Sequence, residues 1–101
     1  MVLYRGTMKH KKSTYKSVVI NKKRYYFYKI TWLDILGDAG HSDAIQFNKF
    51  QPATMISYGY IFSMDKQCVR SFASHDVEEE SFSDRNVYPV GCIKSLEKIK
   101  F

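Results

Sequence analysis

A chain of 101 residues has room for one domain of the usual size, about 100–150 residues, and for no second one. With 45% apolar and 16% aromatic residues it lies far from the composition of disordered proteins, so a folded core is predicted. The formal charge of +6 is segregated: residues 1–33 carry nine basic side chains and no acid, residues 34–101 seven basic and ten acidic ones, and such a basic third predicts an anionic partner.

In chain order, residues 1–13 are polar and basic without hydrophobic period, which predicts an arm, followed by a single β-rich domain over 14–101. A strand is expected at Tyr15–Ile20, a hairpin turn at Asn21–Lys23 and a returning strand at Arg24–Leu33. Alternation along that strand puts Tyr26, Tyr28, Ile30 and Trp32 on one face and Tyr25, Phe27, Lys29, Thr31 and Leu33 on the other. The glycines and aspartates of Asp34–Ser42 predict a loop, with Ser42 or Asp43 capping a short helix over Ala44–Phe50 that Gln51–Pro52 ends. Ala53–Met64 reads as a long strand, in which Gly59 marks a bulge, a bend or a close approach. A tight turn at Asp65–Gln67 leads to a returning strand at Cys68–His75, then to an acidic loop holding Asp76, Glu78, Glu79, Glu80 and Asp84. A short strand over Asn86–Val90 is interrupted by Pro89, Val90 and Gly91. Cys92–Lys100 alternates as a strand, with a short helix as the alternative. The predicted fold is mainly β: a small, strongly bent antiparallel sheet or an SH3- or Sm-like barrel of five to six strands with one short helix.

Cys68 and Cys92 form no CxxC motif and have no regularly spaced histidines beside them, so neither a zinc site nor a disulfide framework is indicated. No apolar run reaches the roughly 18 residues needed to span a bilayer, and the basic Met1–Lys12 lacks the apolar stretch of a signal peptide; a place in a reducing cytoplasm, away from membranes, is expected. Burial is limited in so small a domain, which predicts a homo-oligomer, a dimer or tetramer.

Catalysis has little support. His10, His41 and His75 stand near no nucleophile-elbow sequence, and no phosphate-binding glycine loop is present. Asp34, Asp38 and His41 are the residue types of a metal site, yet Asp and Gly are first of all turn formers, and the run Glu78–Glu80 lacks the spaced oxygens of a calcium loop. The chain is therefore expected to be no enzyme and to need no cofactor or metal. Binding is better supported, because rings stack on nucleobases while lysine and arginine meet phosphates. The candidate ligand-binding residues are Trp32, Tyr58, Tyr60, Arg70, Ser74 and His75. Arg70 could grip a phosphate bidentately while Ser74 or His75 donates hydrogen bonds. The competing expectations are that strand aromatics are core or interface residues and that Arg70 pairs with the acidic loop.

The string Ile30-Thr31-Trp32-Leu33-Asp34, then Gly37-Asp38-Ala39-Gly40-His41, Pro52-Ala53-Thr54, Ser57-Tyr58-Gly59-Tyr60, Ser74, Val87-Tyr88-Pro89 and Ile93 resembles a widespread family of small phage-encoded proteins. The likeness runs over about Tyr28–Ile99 and rests on order and spacing together; it departs at His41, where family members often carry an aromatic, commonly Trp. The family looks like the one that includes anti-CBASS nucleotide sponges. That resemblance implies a homo-oligomer that sequesters a cyclic oligonucleotide such as 3′3′-cGAMP without cleaving it, in the cytoplasm of an infected bacterial host. The residue-based alternative is a small barrel that binds single-stranded RNA or DNA.

Overall fold

The computed structural model describes residues 14–101, so the basic arm expected over 1–13 lies outside the described residues. β1 (Ser17–Ile20) and β2 (Lys23–Asp34) form a hairpin whose two turn residues, Asn21 and Lys22, both take positive φ, 50° and 68°. That is the geometry whose twist matches paired antiparallel strands. β2 is long enough to serve three partners. Its first residues pair with β1, its remainder pairs along one edge with β3 (Ala53–Met64), and its other edge takes β8 (Ile93–Lys98) over Tyr28 to Trp32. Phe27 stands where β1 gives way to β8: its N–H donates to the Lys16 carbonyl and its carbonyl accepts from Ile99 N–H.

β3 returns through a tight turn into β4 (Cys68–Phe72), which pairs with β7 (Asn86–Pro89). The six-stranded sheet therefore runs β1-β2-β3-β4-β7, with β8 also on β2. A 3₁₀ turn at Val90–Cys92 carries the chain from β7 to β8. No ladder joins those two strands among the described residues, so the sheet is strongly bent rather than a closed barrel. The bend is visible in one contact: Trp32 of β2 meets Tyr88 of β7 edge to face at 5.4 Å, although two strands separate them. In a flat sheet that gap would be roughly 14 Å.

Alternation sorts the two faces. The concave face buries Ile30 (0% exposed), Val69 and Tyr88. The convex face collects rings at one end: Tyr25, Phe62 and Phe72 with Phe82, reinforced by Ile20, Val18 and Tyr60. Phe82 comes from an element not expected from the sequence. The strand predicted over Cys68–His75 breaks at Ala73, and β5 (Ser74–His75) pairs with β6 (Phe82–Ser83) as a separate two-stranded sheet that lays Phe82 over Phe72 at 4.7 Å. Burying Phe72 to 1% exposure contributes about 2–3 kcal/mol. The helix α1 covers only Ala44–Phe47, shorter than the expected Ala44–Phe50, and Asp43, not Ser42, caps it by accepting from Gln46 N–H at 2.8 Å.

Two substitutions test this account. Lys22 has a side chain in left-handed backbone geometry where glycine is unstrained, so Lys22→Gly should raise stability by about 1 kcal/mol in urea unfolding. Gly59 is buried, and a Cβ there would meet the Phe72 carbonyl oxygen at 3.3 Å and Ser71 Cβ at 3.4 Å; Gly59→Val should cost roughly 1–3 kcal/mol in the same assay.

Candidate functional site

The edge between the sheet and the β5–β6 hairpin encloses a groove of about 860 Å³. Its apolar wall is made by Phe62, Phe72 and Phe82. Arg70 and Arg85 bring positive charge, Asp84 a negative one, and Ser81, Ser83 and Asn86 bring hydrogen-bonding groups. Each side chain is there for a local reason. Phe62 is the extra residue of a β-bulge, since the register passes from Ile61↔Ser71 to Ser63↔Arg70, and it stacks against Tyr25 at 5.8 Å. Arg70 lies opposite Val87 in the β4–β7 ladder, and Arg85 follows Asp84, whose φ of 51° turns the chain from β6 into β7.

Arg70 pairs with Asp65 of the β3–β4 turn at 3.3 Å, and the same Nη1 reaches Ser63 Oγ at 3.4 Å. Its partner is thus the turn, not the acidic loop. With both partners about half exposed the pair is worth on the order of 0–1 kcal/mol, so an incoming anion could displace Asp65 cheaply. Asp65 also accepts from Cys68 N–H and Gln67 N–H, both at 2.8 Å. Those two backbone bonds, then Arg70, hold its carboxyl below the ordinary 3.8. Asp76 does the same for the β5–β6 turn: it is lowered by the N–H groups of Glu79 and Glu78.

The six residues singled out from the sequence are not gathered at one place. Arg70 lines the groove. Ser74 borders it and donates to Asp84 Oδ2 at 2.6 Å, while His75 sits edge-on to Phe72 at 6.4 Å. Tyr60 is half-buried in the ring cluster, stacked on Phe72 at 5.5 Å. Tyr58 is 56% exposed on the same convex face, stacked on Phe27 at 6.3 Å. Trp32 is on the concave face, its indole N–H donating to Ser57 Oγ at 2.9 Å. Groove residues that sequence reasoning did not single out include Phe62, Phe72, Phe82 and Arg85. The alternation Ser81-Phe82-Ser83 was the available signal for Phe82, and the neighbouring acidic run masked it.

Lysines also rest on rings on both faces of β2, and Glu97 of β8 lies opposite Lys29. Lys16 Nζ lies 4.3 Å from the Phe27 ring centre, Lys98 Nζ 4.2 Å from that of Tyr26 and Lys23 Nζ 5.4 Å from that of Tyr25. None of these lysines is in an ion pair; among the described residues that pairing is confined to Arg70 and Asp65. Likewise, among the described residues no three of His, Cys, Asp and Glu converge as metal ligands, and Cys68 and Cys92 are free thiols. No helix of the described residues is long and apolar enough to cross a membrane. Compared with known proteins, the chain matches no family model, no curated protein and no solved structure.

The lowered carboxyls set a pH dependence. A carboxylate whose folded value is depressed contributes stability that is present above the ordinary 3.8 and is lost as pH falls through the lower folded value. Amide exchange at Gln67, Cys68, Glu78 and Glu79 is therefore expected to stay slow from neutral pH down to about 4 and to accelerate beyond the intrinsic pH trend only below that. Asp65→Asn should remove the acid step at Gln67 and Cys68 and leave that at Glu78 and Glu79.

Proposed function

We propose that this chain binds a cyclic oligonucleotide immune signal, such as 3′3′-cGAMP, and withholds it without cleaving it, acting as an immune-evasion protein in the cytoplasm of a phage-infected bacterium. The observation that supports the reading is the groove, where an aromatic wall from Phe62, Phe72 and Phe82 stands beside two guanidinium groups, Arg70 and Arg85. A cyclic dinucleotide presents purine faces and two phosphates, and the groove offers exposed Phe62 and half-buried Phe82, backed by buried Phe72, for the former and one arginine for each of the latter. Its volume of about 860 Å³ falls among those of small-molecule sites. Sequestration asks only for affinity, so no acid, base or nucleophile has to be assigned.

The test is calorimetric titration of the purified full chain with a panel of cyclic di- and trinucleotides, followed by heat release and chromatography of the ligand. Binding with intact recovery is expected, with Arg70→Ala and Arg85→Ala each weakening it roughly tenfold or more. Asp65→Asn should tighten it by releasing Arg70. A two-phosphate ligand should show a shallow salt slope, whereas a long single strand should show a steep one. An absence of binding across the panel, or hydrolysed product in the released fraction, would refute the reading.

A further inference from the structure

After Asp34, the last residue of β2, the chain leaves the sheet and returns at Ala53, so that residues 34–52 form a loop together with its root on β2. None of residues 34–52 is buried or half-buried. The exposure is largely apolar: Ile35 is 87% exposed, Ile45 70% and Phe47 68%, with Leu36 and Phe50 close to half. Nothing among the described residues explains α1. A helix of four residues is far below the length that holds itself together in water, and this one buries no side chain, so its Asp43 cap is the support it has at hand. The segment is also acidic, with Asp34 at its root on β2 and Asp38 and Asp43 in the loop against Lys49.

The convex face of the sheet offers the complementary chemistry. Along β2, Lys23, Tyr25, Phe27 and Lys29 share one face, and Lys16 lies over Phe27. Beside them, across the β2–β3 ladder, Tyr58 (opposite Lys29) and Ile56 (opposite Thr31) are more than half exposed. With Lys16, Lys23 and Lys29 against Glu97, which lies opposite Lys29, the stripe is net cationic and partly apolar where the loop is net anionic and apolar. Two acidic loops would repel one another, whereas a loop on a stripe joins opposite charges and covers both apolar surfaces at once. Together, loop and stripe expose apolar side-chain area on the order of the 800 Å² per partner that a stable interface buries.

We propose that the loop over residues 34–52 of one copy docks on the Lys23–Lys29 stripe of a second copy, and that the exchange is reciprocal, closing a two-fold dimer. The inference stands apart from the proposed ligand, because neither surface belongs to the Arg70–Arg85 groove. In a dimer of this kind α1 gains the apolar surface it lacks, and the loop and stripe are both covered without leaving an open end for further copies.

The test is sedimentation velocity on the full chain. Wild type is expected at twice 11.9 kDa, with association weakening as salt rises. Ile45→Asp combined with Phe47→Asp should give monomers with unchanged far-ultraviolet dichroism, since neither side chain is buried in the fold. Reversing the loop charges (Asp34→Lys, Asp38→Lys) and reversing the stripe (Lys23→Glu, Lys29→Glu) should each weaken self-association roughly tenfold or more. Mixing those two variants should restore a dimer, because every loop then faces a stripe of opposite sign. A monomeric wild type, a dimer untouched by Ile45→Asp/Phe47→Asp, or a mixture that fails to associate would each overturn the proposal. So would stripe reversal that abolishes binding of single-stranded oligonucleotide while leaving the mass unchanged.

Discussion

The structure depends on how β2 divides its hydrogen bonds. One edge is given wholly to β3; the other is shared, first with β1 and then with β8, and the changeover falls on Phe27, which bonds Lys16 on one side and Ile99 on the other. Because β8 also follows β7 through a 3₁₀ turn, its place on β2 draws the far strand of the sheet back toward the first. The sheet has to bend. The bend creates the concave interior in which Ile30 and Val69 lose all or nearly all contact with water and Trp32 reaches Tyr88.

The same bend leaves a convex side that a sheet of this size cannot bury on its own. At one end the β5–β6 hairpin folds over it, and its Phe82 turns Tyr25, Phe62 and Phe72 into a packed cluster of rings. Edge-to-face contacts of this kind add about 0.5–1.5 kcal/mol each to the burial of the rings. The groove lies at the rim of that cluster, so its aromatic wall is rigid because it is also core. Its arginines sit on strand and turn positions of the β4–β7 side, with Arg70 joined to Asp65 by an exposed ion pair. Toward the other end nothing among the described residues buries Tyr58 and Ile56, and the loop after β2 exposes its apolar residues.

Charge follows the same division. The first hairpin and β8 carry lysines that rest on rings rather than on carboxylates, which keeps their charge available to a partner. The acids beyond them work on the backbone: Asp65 and Asp76 organise turns, Asp43 caps a helix and Asp38 accepts from Gly40 N–H. Amide N–H groups hold the carboxyls of Asp65 and Asp76 below their ordinary value, so these two turns are held by charge-assisted bonds at physiological pH.

Much of the fold was legible in the residues. Alternation identified β3 to the residue at Ala53–Met64 and separated the two faces of β2, because a half-buried strand has to change face at every step. Turn chemistry placed the two tight hairpin reversals, expected at Asn21–Lys23 and Asp65–Gln67, and charge counting found the basic third. Period and turn propensity are local quantities, and they carry this far. What they could not carry was the meeting of distant segments. That β8 pairs with β2, that a bulge at Phe62 and a break at Ala73 put Arg70 and Phe82 on one groove, and that Trp32 turns away from Tyr58 and Tyr60 are outcomes of closing a bent sheet around a small core. Only tertiary structure decides them, because each depends on which apolar faces are left to bury once the strands have paired.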